Sequence, residues 1–329
     1  MAQRLGWRRK DRVEPPHVGE RERKLNIESV TWGKLTWINI EKPTSKETEY
    51  LGQNYPFHPL DLEDCLSRIE RPKIDEYEDY LFIVLHFPVF DRAARVTRPS
   101  QVALFLGEDY LISLHSGELR PLANLFNDCQ ANESARQENM GRSPGYLFYR
   151  IFDRLVDYCF PIMNKIISNI EAVEDDAFTK PVPHTVREIL ITRRDMISFR
   201  RIIRSIISVL DSLQEGERPI LKEEDTEIYF GDIDDHAHKI LETIEDYEEV
   251  IDSLSDTSNW LTSHRIQEVM RMLAIVATVL TPAVVISSVY GMNIELPFQH
   301  SPFAFGIITG VTVSFVVAML LFFRYRRWI

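Results

Sequence analysis

The chain has few cysteines, too little positive charge to balance its acidic residues, and none of the short motifs of common enzyme classes. Its three cysteines, Cys65, Cys129 and Cys159, are widely spaced, which disfavours a disulfide framework or structural zinc and favours a reducing compartment. The net charge of −12 disfavours nucleic acid as a partner, because phosphates would be repelled. Glycine-rich phosphate loops, zinc-protease motifs and nucleophile elbows are absent, so the sequence predicts neither an enzyme nor an organic cofactor.

The region before the long apolar segments predicts a tail followed by a mixed domain. Residues 1–25 are rich in charge and lack an apolar core, which predicts a flexible basic tail and no secretory signal. Residues 26–232 predict a cytoplasmic α/β domain, with a hairpin turning at residues 107–109 and a capped helix in "TSKETEYLGQNY". Within this domain, two long runs of helical apolar spacing, divided by Pro181 and Pro183, predict an antiparallel helical hairpin.

A stretch without glycine or proline extends over 49 residues, from Ile233 to Thr281. Its apolar residues recur every four and three positions, which predicts a stalk helix over residues 233–271 that runs directly into a membrane segment. Fourteen acidic residues and one lysine lie between Glu223 and Asp256. Such a charge imbalance would attract cations and repel anions, although part of it suits a solvated helix face.

Two runs without charged residues follow, at 272–290 and 303–323, and contain 19 and 21 residues. At about 1.5 Å per residue, both predict helices that cross a bilayer core about 30 Å thick. The loop between them, residues 291–302, has no lysine or arginine, whereas the end of the chain, residues 324–329, is basic. The positive-inside rule therefore predicts a multi-pass protein of the cell membrane with both termini in the cytoplasm. The predicted fold class is α+β, with a cytoplasmic α/β domain, a long stalk helix and two C-terminal transmembrane helices.

The first predicted span carries a neutral stripe that contains Thr281 and Ser288, two helical turns apart. The stripe suits a pore that passes a hydrated cation, but it suits helix packing equally well; Val279 is expected to face lipid. Directly after this span, Gly291 is expected to leave the helix at positive φ. The amide of Asn293 is suited to a hydrated cation, and a simple helix cap is the alternative.

These features together resemble the CorA family of divalent-cation channels. The resemblance depends on the Tyr290-Gly291-Met292-Asn293 motif after the first of two C-terminal spans, and on the basic-aromatic end "RYRRWI". The segments "HPLDLEDCLSRIERPKIDEYEDYLFIVL" and "IYFGDIDDH" are similar to the family's cytoplasmic domain, so the likeness covers the chain from about Asn26 onward. It implies a homopentamer with a cytoplasmic funnel and a pore lined by the first span. Mg²⁺ would be the main cargo, with Co²⁺ and Ni²⁺ as further cargo.

The resemblance also implies roles for particular residues. Selectivity would rest on Gly291, Met292 and Asn293, and a basic belt would comprise Arg324, Arg326 and Arg327. An inter-subunit regulatory site for Mg²⁺ would contain Asp64 and Asp232, with Glu63, Asp235 and His236 close by in sequence. A member of the family carries Asn at position 267 and Met at position 281, so this chain departs from that member in the pore. The pore-lining residues would be Gln267, Met270, Leu273, Ala277, Thr281 and Ser288.

Two other functions remain open on the sequence. A zinc transporter of the ZntB type has the same expected architecture, although Met292 in the triplet favours magnesium. A membrane-anchored scaffold would use the stalk as a partner-binding coiled coil and would need neither a pore stripe nor an outward asparagine. Cation flux separates both alternatives from a magnesium channel.

Overall fold

The computed structural model describes residues 25–67, 70–215, 221, 226–292, 302–326 and 328. These residues form two compact units. The first comprises the described residues up to Ile162 together with Ser198–Leu241, and the second comprises Met163–Ile197 together with the described residues from Glu242 onward. The domain division expected between residues 232 and 233 stays a prediction. Both residues lie inside one continuous helix, Thr226–Tyr290.

A six-stranded mixed sheet forms the centre of the first unit. Its strands are β1 (Ile27–Trp32), β2 (Leu35–Glu41), β3 (Lys73–Glu76), β4 (Tyr80–Asp91), β5 (Val96–Gly107) and β6 (Tyr110–His115). Neighbouring strands follow the order β1-β2-β6-β5-β4-β3 and are antiparallel except for the parallel pair β2 and β6. The predicted hairpin at residues 107–109 is confirmed, because β5 and β6 flank it and pair antiparallel.

Helices cover both faces of this sheet. On one face, the sheet packs against α1 (Ser45–Asn54) and α2 (Pro59–Asp64) through Leu51 and the flanking Phe57 and Cys65. On the other face, the ring of Trp37 meets Phe126 of α3 (Arg120–Ala131) edge-on, with 5.0 Å between centroids. Aromatic pairs of this geometry stabilise a core beyond the area they bury. The sheet is therefore a rigid base for the helices that carry the candidate site.

The start of α1 follows from its local sequence. The Thr44 hydroxyl accepts a hydrogen bond from the Lys46 N–H at 3.4 Å, and the Glu47 carboxylate accepts the Thr44 N–H at 2.9 Å. Burial raises the pKa of Glu47, but hydrogen bonds from Thr44 and Asn26 outweigh it and hold that pKa below its ordinary value. This capping box confirms the predicted helix start.

The first long apolar run forms two helices instead of one. The structure divides it into α5 (Pro144–Asp157) and α6 (Cys159–Thr179), which separate at Tyr158. Pro161 explains the break, because proline lacks an N–H and its ring crowds the carbonyl four residues earlier, which belongs to Asp157. The remaining helices are α4 (Glu133–Met140), α7 (Val182–Glu215), α8 (Thr226–Tyr290) and α9 (Ala304–Tyr325).

Helix α8 extends over 65 residues and contains both the predicted stalk and the first predicted span. The prediction of an α/β domain, a long helix and two apolar C-terminal helices is therefore confirmed. Within the second unit, Arg193 of α7 forms an ion pair with Asp252 of α8 at 3.0 Å. The number of acidic residues in the stalk therefore overstates its negative electrostatic field, because Arg193 of α7 neutralises part of that charge.

The apolar end of α8 packs antiparallel to α9. Ile275 and Val279 of α8 are buried against Phe323 of α9, with Val316 and Met319 packed beside them. The expectation that Val279 faces lipid is therefore wrong. Both helices are long and apolar enough to span a membrane. In the most apolar 18-residue stretch of each helix, however, only 11% of α8 and none of α9 is buried within the chain. This much exposed apolar surface requires lipid or further copies of the chain to cover it.

Candidate functional site

Three potential metal ligands from two helices meet in the first unit. Asp153 of α5 and Asp232 and His236 of α8 each place one ligand atom so that all three atoms lie within 4.8 Å of one another. Asp232 is exposed, whereas Asp153 and His236 are half-buried. Carboxylate oxygens are the ligands that Mg²⁺ prefers, and an imidazole nitrogen adds affinity for Co²⁺, Ni²⁺ or Zn²⁺. The cluster is therefore suited to a divalent cation.

Aromatic packing brings the two helices of this cluster together. Phe230 of α8 is 3% exposed, and its ring lies 5.5 Å from that of Phe148 and 6.5 Å from that of Phe152, both on α5. Next to it, Tyr229 stacks on Tyr149 with 4.6 Å between ring centroids. Because Asp232 follows these rings along α8, the same packing fixes its carboxylate opposite α5.

The electrostatics of the cluster favour a bound cation. Burial raises the pKa of Asp153, and the neighbouring carboxylates of Asp157 and Asp232 raise it further. Asp157 also approaches the ring of His236, with 3.9 Å between Oδ1 and Nδ1. A divalent cation would relieve the repulsion among these carboxylates, so its binding should stabilise the contact between α5 and α8.

Asp64, the other residue expected at the regulatory site, is the last residue of the short helix α2. This helix is fixed to the sheet by Asp61, which is 1% exposed and accepts a hydrogen bond from the Tyr80 hydroxyl at 2.8 Å. A longer bond from the Tyr77 hydroxyl, at 3.3 Å, adds to it. Burial raises the pKa of Asp61, and the two tyrosine hydrogen bonds oppose that rise. The anchored helix holds the Asp64 backbone in a defined place.

The Asp64 carboxylate is engaged within its own chain. The Lys73 ammonium lies 2.8 Å from Asp64 Oδ2 and 2.6 Å from Asp75 Oδ2. Burial lowers the pKa of Lys73, but hydrogen bonds to Asp64 and Asp75 outweigh it and hold that pKa above its ordinary value. Among the described residues, Asp64 joins no group of three or more potential ligands within one chain. The structure thus brings Asp232 together with Asp153 and His236, and an Asp64–Asp232 site between subunits stays a prediction.

The expected pore residues lie mostly on one face of α8. A helix turns by about 100° per residue, so Met270, Leu273, Ala277, Thr281 and Ser288 centre roughly 180° away from the side that packs on α9. Gln267 lies at the edge of this stripe. All six side chains are exposed in the single chain. Their role in a pore stays a prediction, and their face is free to line one.

Thr281 presents an oxygen of suitable chemistry on this face. Its hydroxyl donates to the Ala277 carbonyl at 2.7 Å, so its proton is engaged and the lone pairs of its oxygen can accept. The waters around a hydrated cation point their hydrogens outward. An acceptor oxygen such as that of Thr281 can therefore bind them without stripping the ion.

The Gly-Met-Asn motif lies at the end of α8. Gly291 does not adopt the expected positive φ; in the described part of the chain, the glycines with positive φ are Gly33 and Gly117. Its N–H instead donates to the Ser287 carbonyl at 3.0 Å, in continuation of the helix. A Cβ at this position would lie only 3.1 Å from that carbonyl oxygen, so glycine provides space here. Met292 is exposed, and Asn293 lies outside the described residues.

The basic C-terminal end returns to the start of the first apolar segment. The Arg326 guanidinium lies over the Phe322 ring at 5.8 Å, and Trp328 stacks on Phe323 with 5.7 Å between centroids. A groove of about 610 Å³ between α8 and α9 is lined at this level by Glu268, Arg271 and Trp328, together with apolar side chains. Arg324 is exposed, and Arg327 lies outside the described residues. The two ends of the apolar hairpin therefore lie on the same side.

Comparison with known proteins supports one family. Residues 32–327 match the family described as CorA-like Mg²⁺ transporter protein. The chain is 29% identical to the putative metal ion transporter YfjQ of Bacillus subtilis over 293 residues, which covers 89% of each protein. It is also 29% identical to the cobalt/magnesium transport protein CorA of Thermotoga maritima over 300 residues, which covers 89% of this chain and 83% of that protein.

A solved structure has the same fold. The complete CorA magnesium transporter of Methanocaldococcus jannaschii aligns with a TM-score of 0.79 at 23% identity and covers 91% of this chain and 94% of that one. The two structures share an α/β unit, a long helix and an apolar helical hairpin. Because the family match extends over most of its length, the chain belongs to the CorA-like Mg²⁺ transporter family.

Asp153 belongs to the metal cluster but is not among the site residues that the sequence predicts. It lies in "YRIFDRLVD", between apolar residues at helical spacing, where a charged residue is typical of a solvated helix face. No local signal distinguishes it, because its partners Asp232 and His236 lie on another helix. The sequence predicts His236 only as a neighbour of Asp232 along the chain, and the structure places its ring in the same cluster.

Proposed function

We propose that the protein is a homopentameric channel that admits Mg²⁺ across the cell membrane, with Co²⁺ and Ni²⁺ as further cargo. The observation that carries the proposal is the face of α8 opposite α9, which is exposed in the single chain and bears the neutral stripe through Ala277, Thr281 and Ser288. Several copies would cover the exposed apolar sides of α8 and α9 with one another and with lipid, and would leave this stripe around a central axis.

The proposed topology has both termini in the cytoplasm. The segments 272–290 and 303–323 span the membrane, residues 291–302 form the outer loop, and residues 324–329 stay at the inner surface. Support comes from the apolar hairpin, whose two ends lie on the same side. Arg271 and Arg326 both belong to these ends, and lysine and arginine favour the cytoplasmic side. Residues 26–232 would form the funnel wall and residues 233–271 the stalk that leads to the pore.

Regulation by cytoplasmic Mg²⁺ forms the second part of the proposal. Asp64 of one subunit and Asp232 of the next would share the ion, and Asp153 and His236 would extend the site on the Asp232 side. The clustering of Asp153, Asp232 and His236 supports this extension. An ion that binds the closed state more tightly shifts the equilibrium toward closure, and its loss lets like charges separate the subunits.

The test of conduction is Mg²⁺ uptake by the purified full-length protein in liposomes. Wild type should take up Mg²⁺, and Asn293→Ala should abolish uptake while expression and oligomer size stay unchanged, because the amide at the outer mouth selects the hydrated ion. Near-normal Mg²⁺ uptake by a folded Asn293→Ala protein would rule out that selectivity role.

The two alternative functions, a zinc transporter and a membrane-anchored scaffold, differ from a magnesium channel in the ions that they pass. Separate uptake assays with Mg²⁺, Co²⁺ and Zn²⁺ in the same liposomes distinguish them. Uptake of Zn²⁺ without Mg²⁺ would favour a zinc transporter of the ZntB type. Absence of flux for every ion would favour a membrane-anchored coiled-coil scaffold.

A further inference from the structure

Lys73, the first residue of β3, bridges two carboxylates. Its ammonium lies 2.8 Å from Asp64 Oδ2 and 2.6 Å from Asp75 Oδ2. The same ammonium lies 5.4 Å from the centroid of the Phe82 ring. The Lys73 side chain is 32% exposed and that of Asp64 is 21% exposed. The Lys73–Asp64 ion pair is thus partly shielded from water, and the Lys73 ammonium contacts two carboxylates and one aromatic ring.

We propose that Lys73 is a built-in competitor for the divalent cation at Asp64 and thereby sets the Mg²⁺ concentration at which the channel closes. The inference rests on the proposed regulatory role of Asp64. Its physical basis is that one carboxylate oxygen, Asp64 Oδ2, serves both positive charges. An ammonium in direct contact with that oxygen repels a divalent cation, which must displace it to bind there.

The surroundings of Lys73 make such an exchange feasible. After leaving Asp64, the ammonium would keep its ion pair with Asp75 and its contact with the Phe82 ring, so it would not be left as an unpaired, partly buried charge. The Asp64 backbone is held in place, because Gln101 Nε2 donates to the Asp64 carbonyl at 3.0 Å. Exchange is therefore a movement of side chains on a fixed backbone.

Competition of this kind suits a sensor of an abundant cation. A regulatory site without a competing charge would fill at low Mg²⁺ and keep the channel closed. An internal ammonium weakens the apparent affinity by the free energy of the ion pair that must be broken. For a partly exposed pair this corresponds to a roughly 1.5- to fivefold shift in the half-maximal Mg²⁺ concentration.

The experiment measures Mg²⁺-dependent thermal stabilisation of the purified full-length protein, together with inhibition of its flux by Mg²⁺ on the cytoplasmic side. Lys73→Met should lower the half-maximal Mg²⁺ concentration roughly 1.5- to fivefold in both assays, and Lys73→Gln supplies the same loss of charge if the Met variant does not fold. Lys73→Arg, which keeps the charge, should stay close to wild type. Lys42→Met is the matched control, since Lys42 pairs with Glu41 at 2.9 Å on the same unit and should shift nothing.

A second background separates this inference from the proposed function. In Asp64→Asn, adding Lys73→Met should cause no further shift, because the shared carboxylate is gone. Unchanged Mg²⁺ curves for both neutral Lys73 variants, or an equal shift in the Asp64→Asn background, would overturn the competitor role. If Asp64→Asn alone leaves Mg²⁺ inhibition intact, the sensor role of Asp64 fails, and the inference fails with it.

Discussion

Replacing Asp153 by asparagine should change the stability of the protein in opposite directions without and with Mg²⁺. Without the ion, the substitution removes a half-buried carboxylate whose pKa is raised by burial and by the charges of Asp157 and Asp232. Removing repulsion of this partly exposed kind should stabilise the fold by roughly 0.5–1 kcal/mol. For a protein of this size, that corresponds to a rise of about 2 °C in the thermal midpoint.

With Mg²⁺ the order should reverse, because the variant has lost a ligand. At an ion concentration about 100 times the wild-type Kd, binding stabilises the wild type by about 2.7 kcal/mol. A variant that binds about tenfold more weakly gains only about 1.4 kcal/mol at the same concentration. The loss of about 1.3 kcal/mol exceeds the gain from relieved repulsion, so the thermal midpoints of the two proteins should cross.

The assay is thermal unfolding of the purified full-length protein in chelator and in increasing Mg²⁺. Asp128→Asn, at an exposed position of α3, is the matched control and should follow the wild type throughout. A variant at Asp153 that gains as much from Mg²⁺ as the wild type would refute the assignment of this carboxylate to the metal cluster.

Two further predictions concern the pore face and the sheet. After removal of the native cysteines, Thr281→Cys and Ser288→Cys should react with water-soluble thiol reagents in the assembled channel. Val279→Cys, packed on α9, should not, and equal labelling of all three would contradict the pore face. Burial lowers the pKa of His115 to about 4, whereas an unfolded histidine titrates near 6.5. About 3 kcal/mol of stability should therefore be present above pH 6.5 and be lost as the pH falls to about 4. His115→Gln should flatten this dependence of the thermal midpoint on pH, and an unchanged slope would contradict it.

Local sequence signals predicted the elements that depend on local chemistry. The turn between β5 and β6 and the capping box at Thr44 each involve neighbouring residues, and the structure has both. The family resemblance was also recognisable, because the motif after the first apolar run has a fixed place relative to the two C-terminal segments. Pro161 carries a local signal as well, and it accounts for the break that the apolar spacing alone did not indicate.

Features that depend on tertiary contacts could not be read from the sequence. Asp153 becomes part of a potential metal site only because Phe230 packs on α5 and brings Asp232 beside it. The pairing of Lys73 with Asp64 depends on how β3 follows α2 in space. At Gly291 a local signal gave a wrong prediction. Glycine after a helix commonly takes positive φ, but here the helical hydrogen bonding continues through Gly291.

The central claim is that the protein conducts Mg²⁺ and is closed by Mg²⁺ on its cytoplasmic side. The most direct measurement is the Mg²⁺ current through membrane patches that contain the purified protein, recorded as cytoplasmic Mg²⁺ is raised into the millimolar range. We expect a current that falls in the wild type and persists when Asp64 and Asp232 are both replaced by asparagine. Identical dependence on cytoplasmic Mg²⁺ in the two proteins, or the absence of any Mg²⁺ current in the wild type, would contradict it.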